Sequence, residues 1–353
     1  MDDYLTTMYN MQEAILSYLD GNEEDGFEKV KNQINQQNIN DKDHGLIEIL
    51  HLLVTITNNH YRTPNFFTKI EQILLFYKEK IEKFPNYRLF NIFKSNKRLL
   101  LFLFNEKMIT IDDNIFYYID SFQDKNIFFD YFLPEIISFK NMKTDVKNIE
   151  LFKEKRKIGE NDSKICEIIR KDSIHEFVTY INQTNLSIDQ PIKHSIFETN
   201  YLLTKRYWVG LIEYAAFFGS IKIFNYLCSK VQKLDKDLWI FAVHSNKAQM
   251  IHLLEEYDNR LEEDKELLNE CLNESFLCHH QQITNYLLQT YFKGQTIKMS
   301  LKSFNYYYLQ NNIEFDQYFA LLCKYDYFAL VKLLLETTGV DLSSKKIKLK
   351  FFL

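Results

Sequence analysis

One frame recurs along the second half of the chain and restricts its fold more than any other feature. In GLIEYAAFFGSIKIFNYL, residues 210–227, Gly219 follows Ala215 and Ala216 and precedes Ile223, Phe224 and Leu227. Counted from Gly219, apolar residues fall at +4, +5 and +8, the spacing of one helical face. The frame returns at Asn246 with Met250, Ile251 and Leu254, at His279 with Ile283, Thr284 and Leu287, and at Asp326 with Leu330, Val331 and Leu334. Successive anchors lie 27, 33 and 47 residues apart. The spacing predicts a helix, a tight turn and a second helix, repeated. Turn residues between antiparallel helices often take a left-handed backbone, which Gly adopts freely and Asn or Asp more readily than most. Gly219, Asn246 and Asp326 follow that rule, and His279 follows it less well. Small residues before three of the turns, Ala215 and Ala216, Ala242 with Val243, and Ser275, allow close helix approach.

Glycine and proline support the helical reading because they are scarce: 8 and 4 in 353 residues. A β-sandwich needs many tight turns, and a doubly wound α/β fold needs glycines where strands meet helices. Upstream the frame weakens. Asn96 leads Leu100, Leu101 and Phe104; Asp124 leads Phe128, Phe129 and Phe132; Asp172 leads Phe177 and Ile181, with Glu176 breaking the pattern. Before residue 85 the periodicity predicts helices over 4–19, 46–57 and 66–84 without a repeat.

Residues 210–228 resemble the ankyrin consensus T-P-L-H-x-A-A-x-x-G-x-x-x-[IV]-V-x-x-L-L. Ile212 takes the leucine place, Ala215 and Ala216 the alanine pair, and Gly219 the glycine. The T-P-L-H opening reads Gly210-Leu211-Ile212-Glu213, so the Thr–His capping pair is absent. The 33-residue interval equals the ankyrin period, and TTGVDLSS at 337–344 is similar to an ankyrin finger. The wider run through IRKDSIHEFVTYI, SIFETNYLL, LWIFAVHSNKAQMIHLLEE and LCKYDYFALVKLLL resembles a family of divergent protist ankyrin-repeat proteins that carry a degenerate-ankyrin domain of unknown function. The resemblance implies an all-α, ankyrin-type helix–turn–helix solenoid with a helical N-terminal cap, and a protein-binding role with no catalytic residues. The expected organisation is a cap over 1–85, degenerate repeats over 86–158, repeats over 159–344 with one long finger near 186–209, and a short basic tail at 345–353.

Signatures of chemistry are missing. Gly21 and Gly26 have phosphate-loop spacing, but Phe27-Glu28 follow where Lys-Ser/Thr is required, and Glu23, Glu24 and Asp25 would repel phosphate. Zinc asks for converging ligands, usually with close cysteine pairs. Cys271 and Cys278 are seven apart and His279–His280 fall on a turn, so they read as core thiols and turn imidazoles, as do His244 and His252. No metal and no cofactor is expected. A net charge of −5 gives no global field for nucleic acid or anionic membrane. The longest apolar run, Leu99–Phe104, is far short of a membrane span. The acidic start MDDYLTTMYN and five scattered cysteines suit reduced thiols in the cytoplasm, with the basic run Lys153–Lys157 raising the nucleus as the second compartment.

The expected function is a non-catalytic scaffold or adaptor that binds another protein through finger tips and the inner helix row. Arg206, Tyr207 and Trp208 are the binding candidates, since Arg, Tyr and Trp dominate interface energetics. Trp208 could instead fill the core at a helix start, as Trp239 is expected to do. Residues 255–270 carry eight acidic groups against two basic, an edge for a basic partner or a solvated loop. The alternative function is a structural solenoid that self-associates through an exposed end, and the remote one a hydrolase with dispersed carboxylates.

Overall fold

The computed structural model describes residues 2–21, 25–36, 44–121, 127–141, 149–206, 208–231, 233–258, 260–310 and 313–337. Among them every regular element is helical and no strand occurs. The fold is all-α. Asp124, the tail at 345–353 and nearly all of TTGVDLSS lie outside the described residues.

Two compact units form. One gathers the described residues of Met1–Thr55, Thr63–Ile73 and Gly294–Leu353, the other those of Ile56–Arg62 and Leu74–Lys293. In the first, helix Asp2–Asp20 packs on the 3-10 helix Tyr306–Leu309. The three expected N-terminal helices are found as Asp2–Asp20, His44–Asn59 and Phe66–Phe76 followed by Lys78–Ile81. Helix Gly26–Gln36 was not anticipated. Its buried apolar stripe is only Val30 and Ile34, too sparse to show through the polar run around it.

Helix pairs surround the turn residues. In the second unit Lys164–Arg170 and Ile174–Thr184 flank Asp172, Leu211–Phe218 and Ile221–Cys228 flank Gly219, Leu238–His244 and Ala248–Tyr257 flank Asn246, and Lys265–Leu277 and Gln281–Thr290 flank His279. In the first unit Phe319–Lys324 and Phe328–Thr337 flank Asp326. The turn residues have φ of 49°, 63°, 54°, 58° and 63° in that order, the left-handed region. Four turns close with the long bond of a Schellman motif: Ser173 N to Ile168 O at 3.4 Å, Ser220 N to Ala215 O at 2.8 Å, His280 N to Ser275 O at 3.1 Å, and Tyr327 N to Leu322 O at 2.9 Å. Lys107 and Phe304 do the same, with φ of 61° and 52° and bonds from Met108 N to Leu103 O and from Asn305 N to Ser300 O. Asn96 behaves differently: at φ −123° it is an N-cap that accepts from Leu99 N, the ordinary task of Asn at a helix start.

The residues at +4, +5 and +8 from Gly219, Asn246, His279 and Asp326 are all buried, each large apolar one contributing about 1.5–3 kcal/mol by its removal from water. In the second unit the first helices of the pairs pack in series: Lys164–Arg170 on Leu211–Phe218, that helix on Leu238–His244, and that one on Lys265–Leu277. A side-chain bond joins successive turns. The residue after one turn donates to the carbonyl three residues before the preceding turn residue: Ser220 Oγ to Ile169 O at 2.5 Å, His280 Nδ1 to Val243 O at 3.1 Å, and Tyr327 OH to Leu301 O at 2.9 Å. Ser, His and Tyr share no sequence pattern, yet perform one structural task.

Candidate functional site

The segment between the Asp172 and Gly219 pairs is irregular as far as helix Tyr201–Lys205. It is folded in rather than splayed out. Ile192, Phe197, Leu202, Leu203 and Val209 are buried, and Ile192 N donates to Val209 O at 2.8 Å. Glu198 organises the segment by accepting from Asn161 N at 3.1 Å, Asn200 N at 2.9 Å and Asn200 Nδ2 at 2.7 Å. Thr199 Oγ1 donates to Gly159 O at 2.6 Å, and Lys97 Nζ reaches Ile196 O at 2.9 Å.

The three binding candidates fare differently. Arg206 is half-buried, paired with Asp237 and set over the Phe241 ring. Tyr207 lies outside the described residues. Trp208 is 59% exposed and lies outside the core, with Tyr201 also exposed on the short helix before it. Trp239 is buried and donates Nε1–H to Asp258 at 3.2 Å.

A small cleft beneath this segment is lined by Asn161, Lys193, His194, Glu198, Thr204 and Tyr214. The Tyr214 hydroxyl is held at 2.6 Å by Arg170, which also meets Glu160 at 2.7 Å. Burial raises the Glu160 carboxyl above its ordinary value, with Arg170 opposing. Burial also pushes the Arg62 guanidinium down to about 10.

A second polar cluster spans the Asn246 and His279 pairs. His244 Nδ1 lies 2.7 Å from Glu274 Oε1, and Cys278 Sγ lies 3.2 Å from that oxygen and 3.4 Å from His244 Nδ1. All three are buried. The His244 ring stacks on Phe217 with centroids 3.9 Å apart. His280 and His60 complete the surroundings: His280 is 6.4 Å from His244 and 5.3 Å from His60 between centroids, and His60 Nδ1 lies 2.6 Å from Cys278 O. Burial lowers the His244 and His280 pKa values, with the Arg62 charge acting the same way on His244. Burial, with Glu274 adding to it, holds the Cys278 thiol well above its usual range. Cys271, grouped with Cys278 by sequence, is buried on the same helix and is not in this cluster; His279 is the turn residue.

The first unit has its own buried carboxylate. Glu48 is fully buried and accepts from the Tyr4 hydroxyl at 2.6 Å, the Tyr306 hydroxyl at 2.9 Å and Ala329 N at 2.9 Å. The last bond caps the start of helix Phe328–Thr337 from the other end of the chain. Burial pushes the Glu48 carboxyl up to about 7, with its hydrogen bonds opposing.

Two charged stretches serve local structure. In the acidic run, Asp258 pairs with Arg260 at 2.6 Å, Asp264 caps helix Lys265–Leu277, and Glu255 accepts from the Tyr286 and Tyr291 hydroxyls. In the basic run Lys153–Lys157, Arg156 is buried against Glu135 at 2.7 Å and donates to Tyr131 O. Comparisons of the chain with known protein families, with curated proteins and with solved structures found no match. Among the described residues, no helix is long and apolar enough to cross a membrane.

Sequence reasoning missed the Glu48 and His244–Glu274–Cys278 clusters. The first joins residues about 260–280 positions apart, beyond any local pattern. In the second, Glu274 and Cys278 stand at i, i+4 spacing, a signal that could have been found had His244 been placed two residues before its turn anchor.

Proposed function

We propose that this chain is a divergent ankyrin-type helix–turn–helix solenoid, of the kind its repeat frame resembles, and that it works as a non-catalytic scaffold binding another protein in the cytoplasm. The observation that carries the reading is Trp208, a large aromatic side chain presented to solvent on a well-packed segment. An exposed aromatic on a rigid base loses little conformational entropy on association and suits the centre of an interface. Arg206 serves that base through Asp237 and Phe241. The recurring left-handed turns and the bond between successive turns support the solenoid part of the reading.

The test is affinity purification from the native cell with wild-type chain and Trp208→Ala. Arg206→Ala is less informative, because it also removes an internal ion pair. The reading expects a partner recovered with wild type and lost from the folded variant. Identical partners on both would contradict the site, and a concentration-dependent mass with no partner would turn the role toward self-association.

A further inference from the structure

The cluster between the Asn246 and His279 pairs has the chemistry of a structural metal site. We infer that His244, Glu274 and Cys278 bind a divalent cation of the zinc class, clamping two consecutive helix pairs.

The donor set selects the cation. A thiolate, an imidazole and a carboxylate together suit zinc and its neighbours, whereas calcium and magnesium take oxygen ligands. The geometry is close to what zinc needs. Tetrahedral bonds of about 2.0–2.3 Å place donor atoms roughly 3.3–3.6 Å apart, and the three donors lie 2.7, 3.2 and 3.4 Å from one another. Opening the triangle by less than about 1 Å admits the ion. Glu274 and Cys278, four residues apart on one helix, face the same way, and His244 ends the helix packed against it.

Charge and burial favour occupation. A thiolate and a carboxylate neutralise a divalent ion, leaving a centre without net charge in surroundings closed to solvent. The imidazole must be neutral to ligate, and His244 lies buried against the Phe217 ring. His280 adds an independent sign. Its Nδ1 faces the Val243 carbonyl, which can only accept, so the proton sits there. Its Nε2 is left as a buried lone pair without a hydrogen-bond partner. His244 Nε2 is likewise buried without a partner, so two unpaired polar atoms border the three donors, the His280 ring standing beside them at 6.4 Å from that of His244. The competing state is a metal-free triad in which the thiol and the imidazole N–H both donate to Glu274 Oε1.

The experiment uses the full chain purified without chelator. Its zinc content is measured, and the stripped protein is then titrated with Co2+ while thiolate-to-cobalt charge-transfer absorption is followed. Cys278→Ser is compared with Cys271→Ser, which changes a buried thiol outside the cluster, and circular dichroism verifies folding. About one ion per chain with a thiolate band is expected, weakened at least roughly tenfold in Cys278→Ser and unchanged in Cys271→Ser. Should Cys278→Ser fail to fold, a cobalt affinity weakened at least roughly tenfold in Glu274→Gln decides the same question. Folded wild type that takes up neither metal, or a band that survives Cys278→Ser, overturns the site.

Discussion

Glu48 in one unit and the His244–Glu274–Cys278 cluster in the other are both buried and polar, yet they answer pH in opposite directions. Glu48 is surrounded by hydroxyls and helix-terminal amides, with Tyr4, Tyr306 and Tyr327 as the titratable groups facing it. Its folded pKa, about 7, stands above the unfolded value of 4.5. The folded chain therefore holds the proton more tightly. The resulting stability is full below pH 4.5 and is lost as pH rises through 7. His244 and His280 are bases, so burial lowers their pKa values. Stability from them is present above the unfolded value of 6.5 and lost as pH falls below it. Burial disfavours charge in both places; the sign of the response depends on whether the charged form is the acid or the base.

Substitutions at Glu48 break its half of the contrast most strongly. Glu48→Ala leaves two hydroxyls and the Ala329 amide without their acceptor and opens a cavity, and is expected to cost roughly 3–5 kcal/mol in chemical denaturation of the first unit. Glu48→Gln keeps the shape and removes the charge. It should exceed wild type by up to about 3 kcal/mol at pH 8 and converge with it below pH 4.5; a constant difference across that range would show that ionisation is not what distinguishes Glu48.

The other half is sharpened by His280→Asn. The amide can still donate to Val243 O while the titrating ring is gone. Measured on the metal-free chain, melting temperature against pH should flatten below 6.5, at a cost of about 1 kcal/mol at neutral pH. An unchanged acid limb would move the response to other groups. Ser220→Ala tests the same position two pairs earlier without a titrating group: it removes one hydrogen bond to Ile169 O and should cost about 1 kcal/mol with no change in pH profile.

These positions show how much the sequence carried. Gly219, Asn246, His279 and Asp326 could be placed because a left-handed turn followed by apolar residues at helical spacing is a local requirement, written within about ten residues. Phe304 and Lys107 take the same backbone with residue types that do not favour it, so no turn signal marks them. Ser220, His280 and Tyr327 perform one task with three chemistries, which only distances between pairs reveal. The N-terminal helices were visible from periodicity, but their company was not: Glu48 meets Ala329 across 281 positions. Trp208 shows the same limit, since sequence could name the residue types of an interface without deciding between solvent and core.

The protein-binding role is tested most directly by placing a photo-crosslinking amino acid at position 208 in the native cell, with position 117, where Tyr117 is also exposed, as the control. The account predicts a discrete adduct with another protein from position 208 and none from 117. Equal adducts from both positions, or none from either, would contradict it.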